Sequence, residues 1–282
     1  MMKIRITSDS TCDLSQELVQ KYNVTITPLY VNMGDKPLRD QVDVQPDDIF
    51  EYYQRTGSLC FTSARNIGEY LEVFTQVREE CDAVIHLSLG SSFSSSYQNA
   101  VLAASELENV YVVDSHNLTN GHGYLVIRAA EMVEQGLEPA AIVEELERLT
   151  DKLDVSFVLD QLEYLHKGGR CSSVAALGAN LLKLKPCIEV VDGKMQVGKK
   201  YRGSFAKCVE QYIRDRLADR EGFDLSRVFF ASAGVDEDTL TLTRRVIREC
   251  VGEQSEIIES IAGCTVSCHC GPGALGVILV RK

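Results

Sequence analysis

The sequence predicts an α/β protein made of two α/β domains with a ligand cleft between them, and three observations carry that reading. The chain has 282 residues, enough for one large domain or two, each able to bury a core. Through its first half, strand-like runs alternate with helical ones, which implies a mostly parallel sheet with helices on its faces. Further on, Asp192-Gly193 sits between two β-rich runs, the strongest short hairpin signal, so antiparallel pairing enters and the second sheet is mixed. The change of pattern places an N-terminal α/β domain at 1–153 and a C-terminal α/β domain at 154–282.

In chain order, strands are expected at 3–7, 25–32, 83–89 and 110–114. Between them, helical patterns cover 13–22, 47–55, 67–81 and 95–107, and DLSQ at 13–16 reads as a capping box for the first. Two more helices, at 121–135 and 139–152, complete the N-terminal domain. In the C-terminal domain, 186–191 and 194–201 form the hairpin arms. The β-rich runs 227–233 and 274–280 follow, with helices at 204–220 and 238–250.

Composition excludes several function classes. With 45% apolar and 25% charged residues the chain is an ordinary globular one, not a disordered one. A net charge of −12 without a Lys/Arg cluster argues against a nucleic-acid partner and allows at most transient membrane contact. The opening MMKIRITSDS leads into a strand pattern with no signal-peptide apolar region, and no run approaches the ~18 apolar residues of a membrane span. Ten cysteines in such a chain read as reduced, mostly buried thiols. The expected location is the cytoplasm.

Small polar clusters fall where strands should end and helices begin: TSDSTCD at 7–13, GSSFSSS at 90–96, and Asp114-Ser115. Ligands of open α/β sheets bind beyond the carboxyl ends of strands, and helix N-termini favour anions. The same serines are also good helix caps. Phe61-Thr62-Ser63 reads as a cap before the helix at 67. Arg170, after Gly168-Gly169, is suited to grip a carboxylate or phosphate with two parallel hydrogen bonds.

CTVSCHC at 264–270 raises the question of metal, but it lacks paired Cys-x-x-Cys knuckles and a second nearby His. Read as a strand, it places Cys268 and Cys270 on one side and His269 on the other. His269, just before Gly271-Pro272-Gly273, fits better as a lone donor at the mouth of a cleft. There is no Walker loop, GxGxxG after the first strand, GxSxG elbow or HExxH, so no cofactor is expected. Two rivals stay open: a serine-dependent hydrolase of an acyl substrate, using His116 or His122 with Asp114, and a metal- or redox-responsive protein using Cys264, Cys268 and Cys270.

Six segments, in this order, resemble the DegV family of bacterial fatty-acid-binding proteins: SDSTCDL at 8–14, Thr62-Ser63, SSFSSSYQ at 91–98, VDS at 113–115, LEYLHKGGR at 162–170 and HCGPGA at 269–274. The resemblance runs nearly end to end. It implies a carrier without catalysis of its own, binding one long-chain fatty acid between two α/β domains. It further implies that the carboxylate is presented to a separate ATP-dependent fatty acid kinase, which makes acyl-phosphate for phospholipid synthesis. By the same resemblance, Thr62 and Ser94 hydrogen-bond the carboxylate, with Ser63 and Ser91 beside them, and Arg170 and His269 steady the head group. Gly168-Gly169 would turn the backbone to bring Arg170 there, and the apolar run 174–182 would wall the alkyl channel. The chain departs from the family pattern at Arg65 and Asn66, where Pro and Ser are usual, at Phe93-Ser94-Ser95-Ser96 in place of Leu-Ser-Gly-Thr, and at Cys270 in place of Thr. Those departures bear on acyl selectivity rather than on the fold.

Overall fold

The computed structural model describes residues 2–175 and 184–282, so most of the apolar run 174–182 lies outside the described residues. Strands β1 (Ile4–Asp9), β2 (Thr25–Thr27), β3 (Tyr30–Met33), β4 (Lys36–Arg39), β5 (Phe61–Ser63), β6 (Ala83–Ser88) and β7 (Val110–Asp114) precede β8 (Leu153–Leu159). With them come helices α1 (Gln16–Lys21), α2 (Pro46–Thr56), α3 (Ile67–Arg78), α4 (Ser96–Ala104), α5 (Thr119–Glu134) and α6 (Pro139–Thr150). After β8 come α7 (Glu163–Gly168), α8 (Ser172–Ala175), β9 (Leu184–Val191), β10 (Lys194–Arg202) and α9 (Phe205–Arg216). The remainder is β11 (Phe223–Ala233), α10 (Glu237–Val251), β12 (Glu256–Ile261), α11 (Cys264–Cys270) and β13 (Ala274–Arg281).

The expected parallel sheet is present, in the order β2-β1-β6-β7. A mixed six-stranded sheet, β10-β9-β8-β13-β11-β12, takes all its strands from Leu153 onward and contains the hairpin at Asp192-Gly193. Between these sheets lies α5, whose Leu125, Val126, Ile127, Ala129 and Ala130 are all buried. A helix apolar on every side needs partners on every side. One face meets β1 and β6, and the other meets β8 and β11. The buried amide of Asn120 ties α5 to the mixed sheet: Nδ2 donates to Phe230 O at 3.1 Å, and Oδ1 accepts from Ser260 Oγ at 2.9 Å.

Several sequence expectations are corrected. The single strand at 25–32 is two, β2 in the parallel sheet and β3 in a separate antiparallel sheet of order β4-β3-β5. Pro28 sits at the break; it has no N–H for a ladder and restricts the residue before it. Phe61–Ser63 is a strand, not a cap, because it pairs with Tyr30–Asn32. The cap of α3 is Asn66, which forms a capping box with Glu69. DLSQ is not a capping box either: Ser15 caps α1, while Asp13 is buried and accepts from the Gly263 N–H. Finally, 264–270 is a helix, not a strand. Its first N–H groups, at Gly263 and Cys264, donate to the Asp13 and Asp40 carboxyls at 2.9 and 2.8 Å, partners 250 and 224 residues away.

Candidate functional site: a cavity with a polar mouth

The register of the six-stranded sheet sets small residues side by side. Ala231 pairs with Gly276 and Ala233 with Ala274, and β-strand alternation puts all four on one face. A Cβ at Gly276 would lie 2.9 Å from Ser156 O, so this position stays glycine where two backbones run close. The face is therefore low where its neighbours Val155, Phe157 and Ile278 stand higher. Above it lies a cavity of about 150 Å³. Leu29, Leu89, Leu118, Leu165, Met195 and Val266 add apolar walls.

One end of the cavity is polar. Thr62, Ser63, Ser94, Arg170 and His269 all line it. Thr62 on β5 and His269 near the end of α11 share a hydrogen bond of 2.8 Å between Oγ1 and Nε2. Ser94 lies in the loop before α4, where its Oγ accepts from Ser96 N at 3.1 Å and lies 2.8 Å from Ser96 Oγ. Ser63 is exposed and accepts from Asn32 Nδ2 at 3.1 Å. Arg170 Nη1 donates to Gly168 O at 2.7 Å, and Nε points to Phe93 O at 3.5 Å. Nη2 has no partner among the described residues, so part of the guanidinium is free for an anion.

The glycine pair before Arg170 does two jobs. Gly169 has φ +69 and open space around it, so it serves as the left-handed stop of α7. Gly168 serves His269 instead: a Cβ there would lie 2.5 Å from the imidazole Nδ1. Burial, with the Arg170 cation adding to it, depresses His269 to about 4, so the ring is neutral at neutral pH. Charge at the mouth comes from Arg170, and His269 offers a neutral hydrogen-bonding edge.

Ser91 is not brought to the cavity. It is exposed, and its N–H donates to Asp114 Oδ1 at 3.1 Å on the outer side of the loop. Of the departures from the family pattern, Phe93, Ser95 and Cys270 line the cavity, whereas Arg65, Asn66 and Ser96 do not. Reading residues by chemistry missed the alanine and glycine floor. The available signal was the i, i+2 spacing of small residues within two β-rich runs.

The histidines named for a hydrolase lie away from this cavity. His122 Nε2 does lie 3.0 Å from Ser8 Oγ, but both residues are fully buried and neither lines the cavity. His116 meets Asp114 at 3.3 Å on a half-exposed edge. All ten cysteines are free, and among the described residues no group of three or more His, Cys, Asp or Glu side chains is arranged to hold a metal ion. No helix among them is long and apolar enough to cross a membrane.

A sequence model of the DegV family, a family of uncharacterised proteins, matches residues 3–282. The chain belongs to the DegV family. A DegV domain-containing protein of Caldanaerobacter subterraneus is 31% identical over the whole of both chains, and one of Clostridium perfringens is 30% identical over the same extent. Among solved structures, a DegV family protein from Thermus thermophilus, described by its fatty-acid binding, superposes with a TM-score of 0.91 at 32% identity over the full length of both chains. A stearic-acid-binding protein from Eubacterium ventriosum gives 0.85 at 28% identity, covering 100% of this chain and 99% of its own. The parallel sheet, the mixed sheet and their flanking helices thus match the fold of these DegV neighbours.

Proposed function

We propose that this DegV protein binds one long-chain fatty acid, with its alkyl chain along the small-residue floor and its carboxylate at Thr62, Ser94, Arg170 and His269. The observation that carries this is one cavity that joins an alkyl-lined trough to an end with hydroxyls and the Arg170 cation. Each methylene taken from water contributes about 0.8 kcal/mol, so the trough supplies most of the affinity and the mouth adds orientation and part of the affinity. The fatty-acid ligands of the Thermus and Eubacterium relatives support the same reading.

The protein acts, in this reading, as a cytoplasmic carrier without cofactor or catalysis of its own, presenting the carboxylate to a separate fatty acid kinase. Arg170 is exposed at the mouth, so a carboxylate held beside it is within reach of a second protein. The acyl-phosphate carries more negative charge than the acid, and a cation beside it favours its formation. The test pairs ligand retention, read by native mass spectrometry, with acyl-phosphate formation by a fatty acid kinase and ATP. Arg170→Ala and His269→Ala should keep the fatty acid and fail in turnover. Full turnover in both folded variants would remove the presentation role, and a wild-type protein that takes up no fatty acid would remove the carrier reading.

A further inference from the structure

A pair of thiols stands beside the hydrogen bond that closes the mouth. Cys60 leads into β5, and burial alternates there: Cys60 is 6% exposed, Phe61 is 70% exposed, and Thr62 turns back toward α11. On α11, Cys268 is the neighbour of His269. The 2.8 Å bond between Thr62 and His269 is therefore accompanied by a second contact between the same two elements. The Cys60 and Cys268 thiols hydrogen-bond to each other within one buried cluster. Cys264 and Cys270, at the two ends of α11, direct their thiols to the carbonyls of Val44 and Gly271 at 3.1 and 3.6 Å. Within CTVSCHC it is Cys268 that meets a second thiol.

The two sulfurs are unequal. The hydrogen bond from Cys268 holds the Cys60 thiol below its usual range, while the same bond and burial push Cys268 well up. Burial pushes Cys12, Cys187 and Cys270 up to about 12. Cys60 is therefore the nucleophile of the pair, because the thiolate is the reactive form. It is also the outer sulfur, since it leads into the edge strand of the small sheet. With hydrogen peroxide as oxidant, the Cys60 sulfur attacks one peroxide oxygen and the O–O bond breaks. The leaving hydroxide takes the proton of the Cys60 thiol and becomes water, and Cys60 becomes a sulfenic acid. The Cys268 sulfur then attacks the Cys60 sulfur, the S–O bond breaks, and the Cys268 proton leaves with the hydroxyl as a second water. Two thiols thereby give up two electrons to one peroxide.

We propose that Cys60 and Cys268 form a peroxide-responsive disulfide that clamps β5 to α11 and slows the passage of ligand through the mouth. The disulfide stands on the thiol contact; its effect on exchange rests on the fatty-acid reading above. Thr62 and His269 come from the two elements it joins, so those walls no longer part independently once it forms. The test treats reduced full-length protein with a small excess of hydrogen peroxide, blocks remaining thiols in the folded state, and maps disulfides by peptide mass spectrometry. In parallel, exchange of bound stearic acid for isotope-labelled stearic acid is timed by native mass spectrometry. The expected product is the Cys60–Cys268 linkage, with exchange slowed by about tenfold, as for other gated sites, and restored by dithiothreitol. Cys60→Ser and Cys268→Ser should show neither the linkage nor a response of exchange to peroxide. Absence of the linkage in folded wild-type protein overturns the proposal whatever the variants do. A linked protein that exchanges as fast as the reduced one overturns the clamp. Reduced protein that takes up no stearic acid overturns the carrier reading, and the disulfide map then still decides the thiol pair.

Discussion

Thr62 Oγ1 and His269 Nε2 lie 2.8 Å apart although 207 residues separate them in the chain. One belongs to the small antiparallel sheet and the other to the helix that feeds the central strand of the mixed sheet, so their bond closes the mouth from both sides. Gly168 completes the arrangement by leaving room for the imidazole.

Removing the hydroxyls should weaken ligand binding. Charge-assisted hydrogen bonds are worth about 1.5–3 kcal/mol, so Thr62→Ala and Ser94→Ala should each lose roughly 10- to 100-fold in fatty-acid affinity. Ser94 also accepts from Ser96 N, so its variant is checked for folding by circular dichroism. Unchanged affinity in both folded variants would remove these hydroxyls from the carboxylate site.

The two glycines should separate cleanly. Gly169→Ala meets no atom but forces a Cβ residue to φ +69, at a cost of about 1–2 kcal/mol in stability and little in binding. Gly168→Ala strikes His269 Nδ1 and should disturb the mouth more than the fold. Thermal melts and ligand titrations on both variants check the contrast; equal effects of the two on binding would contradict it.

Filling the floor should exclude the chain. Ala231→Leu projects into the cavity from the position opposite Gly276, so the leucine replaces ligand methylenes instead of crowding packed atoms. The expected outcome is an unliganded protein with undiminished melting temperature and loss of long-chain uptake, with shorter acids less affected. Long-chain acids bound as in the wild type would place the alkyl chain elsewhere.

His269 should report on Arg170 through pH. Its folded value near 4 is below the usual 6.5, so between those values the unfolded chain takes up a proton that the folded ring refuses. Stability therefore falls as pH drops from 6.5 toward 4, by about 3 kcal/mol for the full interval. Arg170→Gln removes the neighbouring cation and should raise the His269 midpoint in an NMR titration, though burial still keeps it below 6.5. An unmoved midpoint would mean that the guanidinium does not act on the ring.

Local chemistry written along the chain was enough to place many elements. The run at 110–114 is β7 to the residue, and the 47–55 pattern is α2 to within a residue at each end. Asp192 and Gly193 both take positive φ at the hairpin, as a two-residue turn requires. Such features depend on periodicity and turn residues within a few positions, which a sequence displays directly. The same holds for Arg170 and His269, whose chemistry and flanking glycines mark them out as candidates for the cavity they line.

Other features exist only as relations between distant segments. Phe61–Ser63 is a strand because β3 offers it a ladder, and 264–270 is a helix because two carboxyls from the N-terminal half satisfy its first amides. Ser91 and Ser94 look alike in the sequence, and the direction of one loop puts one outside the cavity and the other in it. The floor of the cavity needs β11 and β13 to pair with Ala231 opposite Gly276; a slip of one residue would turn those small side chains to the other face. Residue types set which surfaces are apolar or charged, but pairing register and packing decide which of them meet, because the energies that settle register come from side-chain burial summed over whole faces.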